Sequence, residues 1–215
     1  PITDDSQHWW FFRWNLEYWA AIPHEDPGDT NFLARSPEGY AYLNGWGSAR
    51  YNAAAQLQCL VYRKYTDDAR FADWARGQME YIMGDNPMGR SYIVGYSDDY
   101  ARHPHHRAAH GSITNSLDDP PEHRHTLWGA LVGGPDSADR HVDSTGDYIY
   151  NEVAIDYNAG LVGALAGHYE YFGRTAGHEP VADFPPPETV VDFYDIQAKL
   201  TQENAERSQV TLRVH

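Results

Sequence analysis

Cysteine is nearly missing from this sequence: Cys59 is the only one among 215 residues. A single thiol forms no internal disulfide, and a zinc site built on cysteines is excluded. Set in an apolar helical pattern, Cys59 reads as a small core residue. Basic residues are scarce, 16 Lys and Arg against 31 Asp and Glu, for a formal charge of −15. Such a chain lacks the clustered cations that phosphates require, which argues against nucleic acid as a partner and against an anionic membrane surface. No apolar run approaches the roughly 20 residues that cross a bilayer. The start, Pro1-Ile2-Thr3, shows neither an initiator methionine nor a signal peptide and reads as a cut end. The shortage of disulfides leaves secretion open, because large domains are stable without them.

Hydrophobic residues make up 41% of the chain, enough to bury a core, and the length suits one domain or one and a half. Aromatics reach 14%, with 7 Trp and 16 Tyr. Of 12 histidines, seven (His103, His105, His106, His110, His123, His125 and His141) fall within 39 positions. An acidic, Tyr- and Trp-rich surface suits sugars, whose C–H faces stack on rings and whose hydroxyls need carboxylate, His and Arg partners. An aromatic-rich core is the plainer explanation of the same composition.

The periodicity is mostly helical. Trp9, Phe12, Leu16 and Trp19 fall at helical spacing over 6–20, and Ala53, Ala54, Leu57, Leu60 and Val61 do so over 47–65. Thr66 or Asp67 is placed to cap a third helix with the stripe Phe71, Trp74, Ala75, Met79 and Ile82, closed by Gly84 and kept closed by Pro87. The longest periodic run extends from Asn151 to Phe172, with Val153, Tyr157, Leu161 and Leu165 at four-residue steps. Between 88 and 148 lies an irregular stretch rich in Gly, Pro, His and Asp, and a long ordered loop of this kind is expected to carry function. Near the end, PVADFPPP (180–187) reads as a stiff spacer. Beyond it, Val190, Tyr194, Ile196, Ala198 and Leu200, and then Val210, Leu212 and Val214, alternate as two strands. Two strands make no independent domain, so the sequence is expected to stop inside a β-type module.

Two long segments carry the chemistry. SYIVGYSDDYARHPHHR (Ser91–Arg107) resembles the histidine motif of glycoside hydrolase family 9, and DSTGDYIYNEVAIDYNAG (Asp143–Gly160) resembles that family's Asp/Glu motif. YIMGDNP (81–87), RAAHGS (107–112), LWGALVGGPD (127–136) and SPEGYAYLNGWGSARYNAA (36–54) agree with them, so the resemblance runs from about residue 5 to 173. It implies an all-α fold, part of an (α/α)6 barrel or six-hairpin toroid, with a short β-type C-terminal segment. The implied organisation is 1–175 as the C-terminal part of the catalytic domain, 176–187 as a Pro-rich linker, and 188–215 as the truncated start of a β-sandwich cellulose-binding module of family 3.

Hydrolysis of a glycosidic bond needs one protonated carboxyl for the leaving oxygen and one carboxylate that activates water or attacks. Glu152, just after Asp147, Tyr148, Tyr150 and Asn151, matches the family's general acid. Burial beside aromatics favours its protonated form, whereas a helix N-terminus favours the charged one. Taken alone, it would pass for a first-turn Glu that offsets the helix dipole. Asp143 matches an active-site Asp that orders the acid and contacts a sugar hydroxyl. His105 and Arg107 match a His-x-Arg pair that binds hydroxyls in the cleft, with His106 packing inward. Tyr157 matches a substrate-binding aromatic near the acid that stacks on or bonds to sugar but lies equally well on the apolar core stripe, and His125 is open between a substrate-binding cleft role and a structural one. His141 replaces an aromatic, Ser144 and Thr145 replace frequent Asp and Arg, and Ser97 and Asp99 replace Gly and Asn; these departures touch supporting positions.

The family's water-activating carboxylates lie in an Asp-Ala-Gly-Asp motif, and this sequence has none. The resemblance therefore implies the acid half of an inverting site, in an extracellular, secreted endo-β-1,4-glucanase (cellulase) that acts on β-1,4-glucan chains, with the base on a missing N-terminal segment. This chain alone is expected to be inactive. The chemistry requires no cofactor; structural calcium, held by Asp and Glu, is a family property whose ligands the sequence does not place. A non-catalytic carbohydrate-binding half-barrel that needs a partner segment is the alternative reading. A metalloenzyme built on HPHHRAAH is disfavoured by Pro104 and by the lack of an HExxH pattern.

Overall fold

The computed structural model describes residues 5–174, 177, 182–188, 196–203 and 208–214. In order, the elements are α1 (Ser6–Ala20), α2 (Ser48–Thr66), α3 (Arg70–Met83), the single-turn helices α4 (Arg107–His110) and α5 (Tyr148–Asn151), and α6 (Ile155–His168). α6 runs into a π-helical turn, Tyr169–Gly173, and two strands follow, β1 (Ile196–Glu203) and β2 (Ser208–Val214). The chain forms two compact units, Pro1–Ser112 with Ser116–Glu179, and Ile113–Asn115 with Pro180–His215.

The helix ends follow local chemistry. Asp5 caps α1 by accepting from the Gln7 amide at 2.8 Å. α2 ends at Asp67 in the left-handed region (φ 57°), with Arg63 and Lys64 in its last turn, where cations suit the helix dipole. The expected cap of α3 is corrected: Thr66 instead donates back to the Tyr62 carbonyl at 2.8 Å, Asp67 terminates α2, and Asp68 accepts from the Arg70 amide at 3.1 Å. Gly84 closes α3 as the sequence implied.

Three residues join α2 to α3, so the pair forms a tight hairpin. α1 lies antiparallel to α2: Trp9 and Phe12 near its start meet Tyr62 near the end of α2, with ring centroids 6.0 and 5.4 Å apart. Leu16 and Ala20 of α1 are buried with Cys59, Tyr62, Phe71 and Ala75. Cys59 is fully buried, as its sequence context suggested, and burial pushes its thiol well above the ordinary range.

α6 packs on α2 across a seam of small residues. A Cβ on Gly160 would lie 2.9 Å from the Ala54 amide nitrogen, one on Gly163 2.7 Å from Leu57 Cδ2, and one on Gly167 2.8 Å from Leu60 Cδ1. Contacts advance in the same sense along both helices, so α2 and α6 run parallel. Their N-termini, and the loops that precede them, lie at the same end. The main core gathers Ala49, Ala53 and Leu60 of α2, Met79 and Ile82 of α3, Tyr157, Leu161 and Ala164 of α6, and the loop residues Tyr92, Val94, Leu131 and Val132.

The expectation of one helix from Asn151 onward is corrected. Asn151 ends α5, residues 152–154 are extended, and α6 begins at Ile155 with Ala154 as its N-cap residue. The expected loop region, 88–148, is irregular apart from α4 and the first residue of α5. Among the described residues no strand precedes Ile196, although isolated bridges occur, Ile93 with Leu131 and His105 with Glu152.

In the second unit, β1 and β2 pair antiparallel, Ile196 opposite Val214, Ala198 opposite Leu212 and Leu200 opposite Val210, with a bulge between Leu200 and Gln202. This is the alternating pair that the sequence suggested; Val190 and Tyr194 lie outside the described residues. Residues 182–188 are exposed and carry neither helix nor strand.

Two outcomes follow for stability. Ala in place of Gly inside a helix gains about 1 kcal/mol of propensity. At Gly160 the new methyl meets backbone, which cannot turn away, and overpacking of about 1–3 kcal/mol dominates. At Gly163 it meets a rotatable Leu57 side chain. Thermal melts should place Gly160→Ala several degrees below Gly163→Ala; equal or reversed midpoints would contradict the seam. Separately, His168 reaches Gln56 Oε1 at 3.2 Å from Nε2, and burial above all pushes its pKa from 6.5 down to about 4. The unfolded chain therefore takes up a proton at a pH where the folded chain resists it. The stability that His168 contributes is complete above pH 6.5 and fades as pH falls toward about 4. Denaturant titrations of His168→Gln should show a shallower loss across that window than the parent sequence.

Candidate functional site

The histidine motif is laid down against the core before it reaches the site. The Tyr92 and Val94 amides donate to Ile82 and Ala130, and Val132 donates to Tyr92, each near 2.9–3.0 Å, so 91–94 runs alongside 130–132. Ser97, where the family usually has Gly, sits at φ +66°, and its hydroxyl donates to the Asp99 carbonyl at 3.0 Å. The glycine preference there has a conformational cause, which the serine partly offsets with a local bond.

Asp143 ties the two motifs together. Its carboxylate accepts from the backbone amides of Arg102 and His103 at 2.8 and 2.9 Å, and from His103 Nδ1 at 3.0 Å. The Asp143 side chain is only 11% exposed. A second tie follows: the His105 amide donates to the Asn151 carbonyl at 2.7 Å, and His105 and Glu152 form a parallel bridge. Asn151, fully buried, donates from its side chain to the Val142 carbonyl at 2.6 Å. These bonds hold 152–154 extended and explain why the helix pattern fails there.

Glu152 thus stands on a short extended segment just before α6, and Trp46 stands just before α2. The parallel seam brings them together: the Trp46 indole N–H donates to Glu152 Oε2 at 2.6 Å, and the Tyr157 hydroxyl donates to the same oxygen at 3.0 Å. Two donors on Oε2 leave Oε1 as the oxygen that carries a proton when Glu152 is an acid. Tyr157 is a core residue, 1% exposed, so its ring offers no face to a sugar, while its hydroxyl reaches the Glu152 carboxylate. Burial first, and then donation to Glu152, raise its pKa, which keeps it a donor. Gly47 makes room for that ring: it sits at φ +66°, and any Cβ there would overlap the Tyr157 hydroxyl. Around Glu152, Trp46 and Tyr148 are 45% and 48% exposed, with ring centroids 5.2 Å apart, and Tyr148 meets the His105 ring at 6.1 Å. This is an open aromatic shelf beside a carboxyl group.

Of the residues proposed from sequence, Glu152, Tyr157 and His105 converge, and Asp143 joins them through the backbone it binds. Arg107 is exposed at the start of α4, and exposed His125 is linked to the same helix by its amide, 3.0 Å from the Ala109 carbonyl. The expected inward packing of His106 is corrected: its Nδ1 accepts from the Ala109 amide at 3.1 Å and caps α4, while His110 is the buried one. His141, in place of an aromatic, is 4% exposed and packs edge-on against Tyr92 at 5.1 Å. Trp46 and Tyr148 were missed. Trp46 had a signal, a large ring held between two glycines in GWG.

Asp136 accepts from the Ala138 and Arg140 amides, and Asp139 from the Glu38 amide and the Tyr81 hydroxyl. Among the described residues no three His, Cys, Asp or Glu side chains are arranged to hold a metal ion.

Removing the Asp143 carboxylate leaves the exposed Arg102 amide and the part-buried His103 amide without their acceptor, a loss of about 1–2 kcal/mol at the net worth of such hydrogen bonds. Asp143→Ala should lower stability by that order and speed hydrogen exchange at Arg102 and His103. Native-like protection of both amides in the variant would show that Asp143 does not hold the loop.

Comparison with known proteins supplies the context. The family model described as Glycosyl hydrolase family 9 matches residues 5–165. Endoglucanase A of Bacillus pumilus is 42% identical over 200 residues, covering 91% of this chain and 30% of that protein. Endoglucanase B of Cellulomonas fimi is 42% identical over 191 residues, covering 86% of this chain and 17% of its own length. Among solved structures, endoglucanase CelQ from Clostridium thermocellum complexed with cellotriose superposes with a TM-score of 0.82 at 34% identity, covering 99% of this chain and 35% of that one. The catalytic domain of Clostridium thermocellum CelT gives 0.71 at 48% identity, covering 80% and 33%. The chain therefore spans no more than about a third of these relatives, and its helical unit is part of an (α/α)6 barrel. With the two motifs stitched together at the aligned ends of parallel helices, and with relatives above 40% identity across them, the chain belongs to glycosyl hydrolase family 9.

Proposed function

We propose that this chain supplies the acid side of a site that hydrolyses β-1,4-glucosidic bonds of cellulose with inversion at the anomeric carbon. The observation that carries the reading is Glu152, held at one oxygen by Trp46 and Tyr157 and flanked by the Trp46–Tyr148 shelf. A glucan lies with its apolar faces on the two rings and its hydroxyls toward His105, Arg107 and His125. Glu152 delivers the proton from Oε1 to the glycosidic oxygen as the C–O bond breaks, and that oxygen leaves as an alcohol. Water adds to the anomeric carbon from the opposite face and gives its proton to a carboxylate about 6.5–9.5 Å from the acid. That carboxylate belongs to the part of the catalytic unit that this sequence does not contain. One C–O bond is exchanged for another with two proton transfers and no oxidation or reduction, so the reaction calls for no redox cofactor.

The structures of CelQ with cellotriose and cellotetraose support a glucan as the ligand class. CelQ aligns with nearly the whole chain while the CelT catalytic domain aligns with 80% of it, which supports reading the C-terminal residues as lying beyond the catalytic unit, at the start of a further module. An insoluble polymer substrate supports secretion.

On carboxymethyl cellulose, the purified 215-residue chain should release reducing sugar at least 10²–10⁴-fold more slowly than the full-length enzyme, since loss of general base catalysis alone costs about that factor. Parent-like rates from this chain would refute the missing base. In the full-length enzyme, Glu152→Gln should remove most of kcat and leave oligosaccharide binding nearly unchanged. Full activity in that variant would refute Glu152 as the acid, and binding without turnover in the parent would favour the non-catalytic half-barrel.

A further inference from the structure

His105 is held by the backbone carbonyl of a residue whose side chain is held by a second histidine. The His105 ring donates from Nδ1 to the Thr145 carbonyl at 2.6 Å. Thr145 is 7% exposed, and its hydroxyl lies 2.8 Å from His123 Nε2. Thr145 is one of the positions where this sequence departs from the family pattern. The other nitrogen of His123, Nδ1, is sealed from solvent and has no hydrogen-bond partner. Buried N–H groups without acceptors are rarer than buried acceptors without donors, so the His123 proton sits on Nε2 and is donated to the Thr145 hydroxyl. The groups that face His123 are the His103 ring at 5.5 Å, the His110 ring at 5.0 Å, and the charges of Glu122 and Asp143. Burial first, then His110 and His103, push its pKa down to about 4, so the ring is neutral over the range where the site would work.

We propose that His123 is a positioning residue that acts on His105 through Thr145: by binding the Thr145 hydroxyl it fixes that residue with its backbone carbonyl against His105 Nδ1, which keeps the His105 proton on that nitrogen and leaves Nε2 as a lone-pair acceptor. His105 then accepts a hydrogen bond from a sugar hydroxyl instead of donating one. The identity of the ligand rests on the proposed function above; the tautomer does not.

The test is long-range 15N–1H spectroscopy of the histidine-labelled chain above pH 7, which reads the tautomer of each ring. The wild-type chain should show His105 as the Nδ1–H form alone. His123→Ala and, as a shape-preserving second variant, Thr145→Val should both turn that pattern into a mixture with the Nε2–H form. His123→Gln, whose amide can donate to the same hydroxyl, should restore it. Unchanged His168 signals report that each variant is folded. A wild-type His105 in the Nε2–H form, or an unaltered Nδ1–H pattern in both folded variants, overturns the proposal. In the full-length enzyme, His123→Ala should raise KM for cellotetraose about tenfold with kcat little changed, roughly the loss of one hydrogen bond. An altered tautomer with unchanged KM supports the positioning role and overturns sugar binding by His105, so the two readings fail separately.

Discussion

The close parallel packing of α2 on α6 is the constraint on which the rest of the site depends. Helices this near must have small residues where they touch, and Gly160, Gly163 and Gly167 supply them against Ala54, Leu57 and Leu60. Because the two helices point the same way, the segments that enter them emerge side by side. That alone accounts for a tryptophan at position 46 donating to a carboxylate at position 152. Shift α6 by one turn, and the rise of about 5.4 Å separates donor from acceptor completely.

The second constraint is backbone. Glu152 does not ride on a helix; it rides on an extended step between two helices, and the edge of that step is paired with the histidine motif. Asp143 and Asn151 complete the pairing by meeting amides and carbonyls that irregular loops would otherwise leave unmet. Glu152 therefore has a fixed backbone and a carboxyl steered by two side-chain donors, so its position is set at both ends.

Much of this was legible in the sequence, for reasons that differ by residue. α1 and α2 match their stripes to within a residue because Trp9, Leu16, Ala53 and Leu60 meet the core at regular spacing. The union of the two motifs was legible through family resemblance alone, since nothing local places His105 next to Glu152. The helix drawn through Asn151 to Phe172 was wrong at its start because Val153 fits the four-residue step while a long-range bridge sets its backbone. The capping of α3 failed by one or two residues, Asp68 in place of Thr66 or Asp67, a choice made by the left-handed turn that ends α2. Trp46, His123 and Thr145 were not singled out as site residues, because their partners lie 106 and 22 positions away and spacing carries no trace of such pairs.

The ties at the base of the excursion between the two motifs have an evolutionary consequence. Residues 102–105 are bound to 143, 145 and 151, so the ends of the intervening segment are closed by their own bonds whatever lies between them. Doubling such a segment costs only about 0.6 kcal/mol in closure entropy. Insertions and deletions can accumulate in the exposed stretch 114–119 without disturbing the pairing of His105 with Glu152. A short exposed stretch free to diversify is thus rooted beside residues that must stay still, while Leu131 and Val132 of the same excursion remain in the core.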